Sequence, residues 1–502
     1  QQNEQFFTQD KKEDSPPITT VKMYSKNRWY DTPIYQRENL NLHQKIKAPA
    51  LIIESTGTNV IEQGWEAEIN QYGHLILTHL PTESPSSIER EKNEKVDPIL
   101  LEIFNNLFRF IAEEMGIILQ NTSYSVNIKE RLDFSCAIFD SQGELVANAP
   151  HIPVHLGSMS ESVKALIKDS QITLEKGDVY LSNNPYNGGT HLPDITAITP
   201  IFIDDNKSPD FYVASRGHHG DIGGITPASM ASQSINIEEE GILINNFCLV
   251  KKGNFREEEL KALLTDNPYP VRFYPQNLGD LQAQVASNEK GVKELKNLVE
   301  KYGLNLVKKY MQFVQDNGEK FVKNVIKTLK NGEYQITLDN LAEIKVKITI
   351  NQENSTATID FTGTSSQQND NFNAPISITK AVVLYVFRTL IDDDIPLNAG
   401  CLKPINFIIP EGCLLNPQYP CAVVAGNVET SQNIADCLYG ALGIMANSQG
   451  TMNNFTFGNG KYQYYETICG GTGAGYNHHG TTAVQVHMTN SRLTDVEVLE
   501  SR

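Results

Sequence analysis

The chain has 502 residues, 40% of them hydrophobic, and a net charge of −18. This length excludes a single small domain, and the acidic balance disfavours nucleic-acid binding. No run approaches the roughly 18 apolar residues that a membrane-spanning helix needs, so no membrane contact is expected. The seven cysteines are scattered and form no CxxC pair, which is typical of reduced thiols in a cytoplasmic protein.

The first 80 residues predict a small β-rich domain. Short apolar runs, of which Ala50–Glu54 is the clearest, are separated by glycine turns. Residues 81–95 are rich in Ser, Pro, Glu and Lys, and Ile88 is their single large aliphatic residue. We therefore assign residues 81–96 as a linker.

A second domain is predicted to begin with a helix at Asp97. Asp97 suits the cap position, and apolar residues then recur at helical spacing as far as Gly116, where we expect the helix to end. Two strand-like runs between residues 131 and 147 flank a turn at residues 140–143, which predicts a hairpin. Residues 163–167 are assigned to a short helix.

The remainder of this domain mixes strands and helices. Residues 195–203 and 211–214 are rich in β-branched and aromatic side chains, which favour strands. Residues 256–330 predict a pair of helices separated at Gly303, and residues 334–361 return to strands. The sequence thus predicts an α/β chain of the α+β type with several domains: a small β-rich N-terminal domain, then a mixed domain containing a helical pair.

Two short segments each place an aspartate three residues after a histidine: His191 with Asp194, and His218 with Asp221. Imidazole and carboxylate are ligands for borderline divalent metals such as Zn²⁺, Mn²⁺ or Fe²⁺. Pro193 disfavours a helix, so the first segment should enter a strand and the second should leave the next one, and a hairpin would bring both together. We predict a divalent metal site at His191, Asp194 and His218; the alternative is a set of hydrogen-bonded structural histidines.

Further side chains near these segments are candidates for chemistry. His219 would point to the opposite face of a strand from His218. It would therefore support a metal-ligating residue or contact the substrate. Asp221 would be a fourth ligand or a general base, and we assign proton transfer to Asp221 and His219. His155 could reach the site or belong to the core, and Asn184 could orient a substrate or cap a turn. The substrate-binding candidates are Asn184, Arg216 and His155.

Two other segments have simpler interpretations. The charge run at residues 238–240 is expected to be a solvated turn. The glycine-rich residues 470–475 lack the Lys-Ser or Lys-Thr of a phosphate loop, so they would form a pocket wall or an ordinary loop.

Four ordered segments of the second domain resemble the hydantoinase B / 5-oxoprolinase family: residues 127–137, 152–159, 184–194 and 214–227. This resemblance covers residues 97–502 and implies a hydantoinase B-like domain that is incomplete at its C-terminus. In that family a His-x-x-Asp pair and a later histidine hold a divalent metal, which implies the same roles for His191, Asp194 and His218.

Residues 48–54 and 60–65 resemble the tail of a hydantoinase A subunit, so residues 1–80 would be the C-terminal remnant of an A-like part. An A-like part fused to a B-like part is the arrangement of ATP-dependent 5-oxoprolinases. The resemblance implies a hydrolase that opens 5-oxoproline or a hydantoin. The A-like half would phosphorylate the amide oxygen with ATP and Mg²⁺, and the B-like half would deliver water.

The resemblance also implies which partners the chain has. ATP and Mg²⁺ would be used by the complete enzyme and not bound by this chain alone. The partners would be a cyclic amide substrate and the A-like part, and we expect a homo-oligomer. Two alternatives remain: the B-like subunit of an ATP-dependent ketone carboxylase, and a non-catalytic scaffold that holds a metal.

Overall fold

The structure, a computed structural model, describes residues 14–25, 28–80, 96–392, 397–485 and 487–501. The chain divides into two compact units, one up to Val96 and one from Asp97 onwards. The predicted linker lies outside the described residues except for Val96. Among the described helices, none combines the length and the apolar content needed to cross a membrane.

The first unit consists of two small β-sheets. The four-stranded sheet has the order β1 (Thr19–Ser25), β2 (Arg28–Gln36), β4 (Ala50–Glu54), β5 (Gly57–Ile61). The three-stranded sheet has the order β3 (Lys45–Lys47), β6 (Trp65–Ile69), β7 (Leu75–His79). Alternate residues of β4, Ala50 and Ile52, are buried in an apolar core, as the period of a strand requires. The predicted β-rich N-terminal region is confirmed.

The second unit is built on a seven-stranded antiparallel sheet. Its order is β14 (Asn254–Phe255), β13 (Phe247–Lys251), β10 (Val179–Ser182), β11 (Asp194–Ile201), β12 (Phe211–His218), β8 (Phe134–Asp140), β9 (Leu145–Asn148). The hairpin of β8 and β9 agrees with the prediction, and Asp140 stabilises its turn by accepting hydrogen bonds from the backbone of Gln142 and Glu144.

Helices pack against both faces of this sheet. The described helices of this unit are α1 (Pro98–Thr122), α2 (Val126–Lys129), α3 (Pro153–Lys168), α4 (Ile237–Glu240), α5 (Glu257–Thr265), α6 (Tyr274–Tyr302), α7 (Leu304–Ile326), α8 (Ile376–Thr389), α9 (Ser431–Leu442) and α10 (Val496–Glu500). Along β8, Cys136 and Ile138 face a core shared with α1, α6 and α7, while Ala137 and Phe139 face α3. The predicted helical pair, α6 and α7 broken at Gly303, is confirmed.

A second sheet and a hairpin complete this unit. The sheet has the order β15 (Gly332–Thr337), β16 (Glu343–Asn351), β17 (Thr356–Asp360), β18 (Ile405–Ile408), and the hairpin joins β19 (Asn454–Gly458) to β20 (Gln463–Thr467). Helices α8 and α9 pack on the sheet around an apolar core. The mixed strand and helix class of the prediction is confirmed.

Three local predictions were wrong. The first helix continues to Thr122, so Gly116 lies inside it and does not end it. Glycine suits this position because a Cβ there would come within 2.9 Å of the His151 ring. The short helix at residues 163–167 is the second half of α3, which begins at Pro153. The charge run at residues 238–240 is not a solvated turn throughout, since Glu240 is fully buried.

Candidate metal centre

The hairpin of β11 and β12 brings the two histidine segments together. Its antiparallel register places Asp194, the first residue of β11, opposite His218, the last residue of β12. His191 lies just before β11. All three side chains are buried, and one potential ligand atom from each lies within 4.8 Å of the others. The three residues predicted as metal ligands therefore form one cluster that could hold a metal ion.

The donor atoms of this cluster fit a divalent cation. Among the described residues, His191 Nδ1, His218 Nε2 and Asp194 Oδ1 are buried and have no hydrogen-bond partner. His155 Nε2 lies 3.1 Å from Asp194 Oδ1, within the distance of an ion pair. Buried lone pairs are costly when unmatched, and a cation held by two imidazoles and a carboxylate would satisfy them.

Asp194 is held as an anion by its neighbours. Thr190 Oγ1 donates a hydrogen bond of 2.7 Å to Oδ2, and His191 Nε2 lies 3.3 Å from the same oxygen. Burial alone would raise the pKa of Asp194, but His155 and His191 hold that pKa well below its usual range. His155 thus contacts the carboxylate of the cluster, which favours a positioning role over the predicted substrate contact.

His218 presents its unpartnered Nε2 to the cluster. Its Nδ1 lies 3.1 Å from the backbone oxygen of His219 and 3.2 Å from Asn127 Nδ2, whereas its buried Nε2 has no hydrogen-bond partner among the described residues. Its ring stacks on Tyr465, with centroids 4.6 Å apart and planes at 4°. Burial, and then the nearby His191, lower the pKa of His218 to about 3, so the imidazole is neutral, as a metal ligand must be.

Asp133 is a carboxyl group beside the cluster that the sequence interpretation missed. It directly precedes β8, and its backbone oxygen accepts a hydrogen bond from His218 N. Burial, and then the charge of Asp194, raise the pKa of Asp133 to about 8. The signal available in the sequence was its place directly before β8, the strand that pairs with the strand carrying His218.

Asp221 does not join the cluster. Its Oδ1 accepts from the backbone N–H groups of Gly223 and Arg272, and its Oδ2 accepts from Ala228 N and, at 2.7 Å, from Arg272 Nη1. Four donors saturate this carboxylate and fix the loop after β12. The geometry favours this loop-organising role in place of the general base or fourth ligand that the sequence predicted.

His219 points away from His218, as the alternation of a strand requires. Its Nε2 lies 3.0 Å from Gln284 Oε1, and its Nδ1 lies 3.4 Å from Asn277 Nδ2, both on α6. Since both ring nitrogens have contacts on the helix, the position favours anchoring β12 to α6 over proton transfer.

The side chains of Arg216 and Asn184 make their hydrogen bonds to residues outside the three candidate ligands. Arg216 is fully buried and donates to Thr196 Oγ1, Ser158 Oγ and Ser162 Oγ at 2.7, 2.5 and 2.8 Å. Burial lowers the pKa of its guanidinium to about 10. Asn184 is half-buried, and its side-chain oxygen caps the short turn that follows it. Their contacts favour structural roles over substrate binding.

Asn427 reaches the cluster from a distant part of the chain. It belongs to a π-helical turn, Gly426–Thr430, and its Nδ2 lies 3.1 Å from His191 Nε2. No sequence signal pointed to it, because it lies 236 residues from His191.

The fold and the cluster define a two-unit α/β chain with a buried candidate metal centre at the end of a β-hairpin. The chain belongs to the hydantoinase B/oxoprolinase family, whose model matches residues 97–502. The model of the hydantoinase/oxoprolinase C-terminal domain matches residues 3–80. Both matches confirm the resemblance drawn from the motifs.

Known proteins are similar over most of the chain. The chain is 45% identical to 5-oxoprolinase 1 of Arabidopsis thaliana over 505 residues, covering 96% of this chain and 40% of that protein. The crystal structure of an ATP-dependent caprolactamase from Pseudomonas jessenii is similar, with a TM-score of 0.72 and 24% identity over 81% of this chain and 73% of that one. Acetone carboxylase gives a TM-score of 0.71 and 18% identity over 83% of this chain and 59% of that one.

Proposed function

We propose that this chain supplies the metal-dependent half of an ATP-dependent hydrolase that opens 5-oxoproline. The observation that carries the proposal is the convergence of His191, Asp194 and His218 on one buried point. The match to both an A-like and a B-like family supports it, as does the relative named 5-oxoprolinase. The chain spans about 40% of the length of that relative. We assign the ATP-using step to the complete enzyme.

A five-membered lactam is unstrained and resists hydrolysis, which gives ATP a chemical role. The A-like half, with ATP and Mg²⁺, would phosphorylate the lactam oxygen and release ADP. The B-like half would add water to the activated carbon, after which the ring C–N bond breaks and inorganic phosphate leaves. His191, Asp194 and His218 would hold a divalent cation, which would supply Lewis acidity and lower the pKa of water. We assign proton transfer to Asp133 in place of Asp221 and His219, because its buried carboxyl group lies close enough to Asp194 to feel its charge and has a raised pKa.

The proposal also assigns a partner, a cellular location and a set of candidate metals to the chain. The partner is the A-like part of the enzyme, to which residues 3–80 are related. The seven cysteines are free thiols, which supports a cytoplasmic location. Zn²⁺, Mn²⁺ and Fe²⁺ all suit two imidazoles and a carboxylate.

The test uses the complete enzyme with His191→Ala and Asp194→Ala. Each variant should lose the bound metal and lower the rate of ATP-dependent glutamate formation by at least about 100-fold, because both the ligand set and its charge are broken. Metal content is measured by elemental analysis and glutamate by an enzymatic assay. His479→Ala, in an exposed loop, is the matched control and should behave as the unmodified enzyme.

Two outcomes would contradict the proposal. Full turnover by a variant that has lost its metal would indicate the non-catalytic scaffold. Incorporation of bicarbonate into a ketone, with no glutamate formed from 5-oxoproline, would indicate the carboxylase.

A further inference from the structure

We propose that the outer face of α1 is a docking surface for a second copy of this chain, whose own α1 packs on it in the antiparallel direction. This inference does not depend on the metal site. Helix α1 carries apolar side chains on two opposite sides. One side, with Phe104, Phe108 and Ile111, lies in the core that α1 shares with α6 and α7. The other side faces outwards.

The outer side of α1 has the residue spacing of a coiled coil. Successive members are alternately four and three residues apart, as are the two apolar positions of a heptad repeat. Because this spacing follows the turn of a helix, all members lie along one line of its surface. We call this set the α1 stripe: Ile99, Ile103, Asn106, Phe110, Glu113 and Ile117.

The apolar members of the α1 stripe are exposed. Ile99, Phe110 and Ile117 are 72, 54 and 50% exposed, and Ile103 is 40% exposed. Exposed apolar side chains are normal when they are scattered, but four along one line of a helix form a continuous patch. Such a patch on a helix is typical of a surface that binds another helix.

The charges beside the α1 stripe indicate that this other helix is a second α1. Glu102 and Arg109 lie on the same flank of the stripe, one heptad apart. When two such helices pack antiparallel around a two-fold axis, these flanks face each other, and Glu102 of each copy meets Arg109 of the other. One surface thereby supplies both halves of each ion pair, as a two-fold contact requires.

The same register also matches the apolar side chains. It sets Ile99 of one copy against Phe110 of the other, and Ile103 against Asn106. Asn106 suits this layer because its Nδ2 already donates to the backbone oxygen of Glu102 at 3.0 Å and to Glu102 Oε1 at 2.7 Å. The amide nitrogen therefore brings no unmatched donor into the contact.

Other arrangements of two α1 helices would oppose like charges. A parallel pair would place Glu113 of one copy against Glu113 of the other. An antiparallel pair shifted by one heptad would oppose Arg109 with Arg109 in one direction and Glu102 with Glu102 in the other. Charge therefore selects the orientation and the register, while the apolar side chains supply the affinity.

Arg109 has a second carboxylate within reach in its own helix. Its Nε lies 3.5 Å from Glu113 Oε1, and both side chains are exposed. A guanidinium has five N–H donors, so it can contact Glu113 and Glu102 of the second copy together. The intrahelical pair is thus compatible with the dimer.

Sedimentation equilibrium of the purified chain measures the association. A single pair of helices is a small contact, so we expect a dimer with a Kd on the order of 10 µM. Phe110→Ser removes the largest apolar side chain of the α1 stripe and should raise Kd at least about 10-fold, with an unchanged circular dichroism spectrum. Leu341→Ser is the matched control: Leu341 is 80% exposed between β15 and β16, and its loss should leave Kd unchanged.

Two outcomes of this measurement would overturn the proposal. One is a chain that remains monomeric up to about 100 µM, because the α1 stripe would then belong to a contact with another part of the complete enzyme. The other is a dimer whose Kd is the same in Phe110→Ser and in the unmodified chain, because the two copies would then meet through another surface.

Introduced cysteines test the direction of the two helices. In the antiparallel register Ile99 faces Phe110 of the second copy, so mild oxidation of Ile99→Cys/Phe110→Cys should give a covalent dimer. Ile117→Cys should give none beyond that of the unmodified chain, because the two Ile117 positions lie at opposite ends of the pair. A covalent dimer of Ile117→Cys without one of the double variant would indicate parallel helices and contradict the proposed register.

Discussion

At the scale of single residues, Glu240 shows how burial changes the chemistry of a charged side chain. The sequence places it in an acidic run, yet it is fully buried, and its Oε1 accepts from Ser234 Oγ and from two backbone N–H groups. Burial raises the pKa of Glu240 to about 8, because the charged form is poorly solvated there. The folded protein therefore prefers the protonated acid at neutral pH.

This raised pKa predicts a pH-dependent stability. In the unfolded chain the carboxyl has its ordinary pKa of 4.5, so its contribution is complete below that value and is lost as the pH rises through about 8. The loss is on the order of a few kcal/mol. Glu240→Gln cannot ionise, so its unfolding temperature should not show this loss. Relative to the unmodified chain, the unfolding temperature of Glu240→Gln should therefore be higher at about pH 8.5 than at about pH 5.

Thermal unfolding followed by circular dichroism at the two pH values measures this difference. Glu238→Gln is the control, because Glu238 is exposed and should show no such trend. An equal shift of the unfolding temperature at both pH values for Glu240→Gln would contradict the raised pKa.

At the scale of elements, α3 connects the candidate site to the second sheet. Its first half is buried on nearly every side, so it lacks the polar face from which a helix is recognised in a sequence. Gly157, two residues after His155, meets α8 so closely that a Cβ would lie 2.4 Å from Ala381 Cα. The close contact between α3 and α8 therefore helps to set the position of His155 relative to Asp194.

Gly157→Ala should destabilise the protein and disturb the site. The added methyl group would meet backbone atoms that cannot move aside, which costs about 1–3 kcal/mol of folding free energy. Because α3 carries His155, we also expect weaker Mn²⁺ binding. Chemical denaturation and a titration with Mn²⁺ measure the two effects.

Gly460→Ala is the matched control for this substitution, since nothing lies within 4 Å of a Cβ at that position. It should change neither quantity. Unchanged stability in Gly157→Ala would show that α3 and α8 can separate without cost.

At the scale of the whole molecule, the chain carries a candidate metal-ligand cluster and two family matches, and its sequence lacks the Gly-Lys-Ser/Thr signature of a phosphate-binding loop. Over all 502 residues, no Gly-Lys pair is followed by Ser or Thr. The matches at residues 3–80 and 97–502 relate it to parts of a longer enzyme. In the function proposed above, activation by ATP and addition of water are assigned to different parts of the complete enzyme.

We therefore predict that the purified chain alone does not hydrolyse ATP. Phosphate release with ATP, Mg²⁺ and 5-oxoproline should equal that of a heat-denatured sample. ATP hydrolysis that persists after further purification and is abolished by His191→Ala would show that this chain uses ATP itself.

The sequence by itself determined the class of the fold and predicted the three candidate ligands, because both depend on local patterns. The His-x-x-Asp segment and His218 lie at the ends of adjacent strands, so hairpin pairing alone brings Asp194 opposite His218. Helix periodicity and the cap at Asp97 are local in the same sense.

Only the tertiary structure decided which other polar groups meet this cluster. Asn427 reaches His191 across 236 residues, and no spacing rule connects them. Asp221 had a suitable spacing, but Arg272 and backbone donors bind its carboxylate. Hydrogen-bond partners and burial arise from contacts between distant segments, whereas periodicity and motif spacing describe neighbours along the chain.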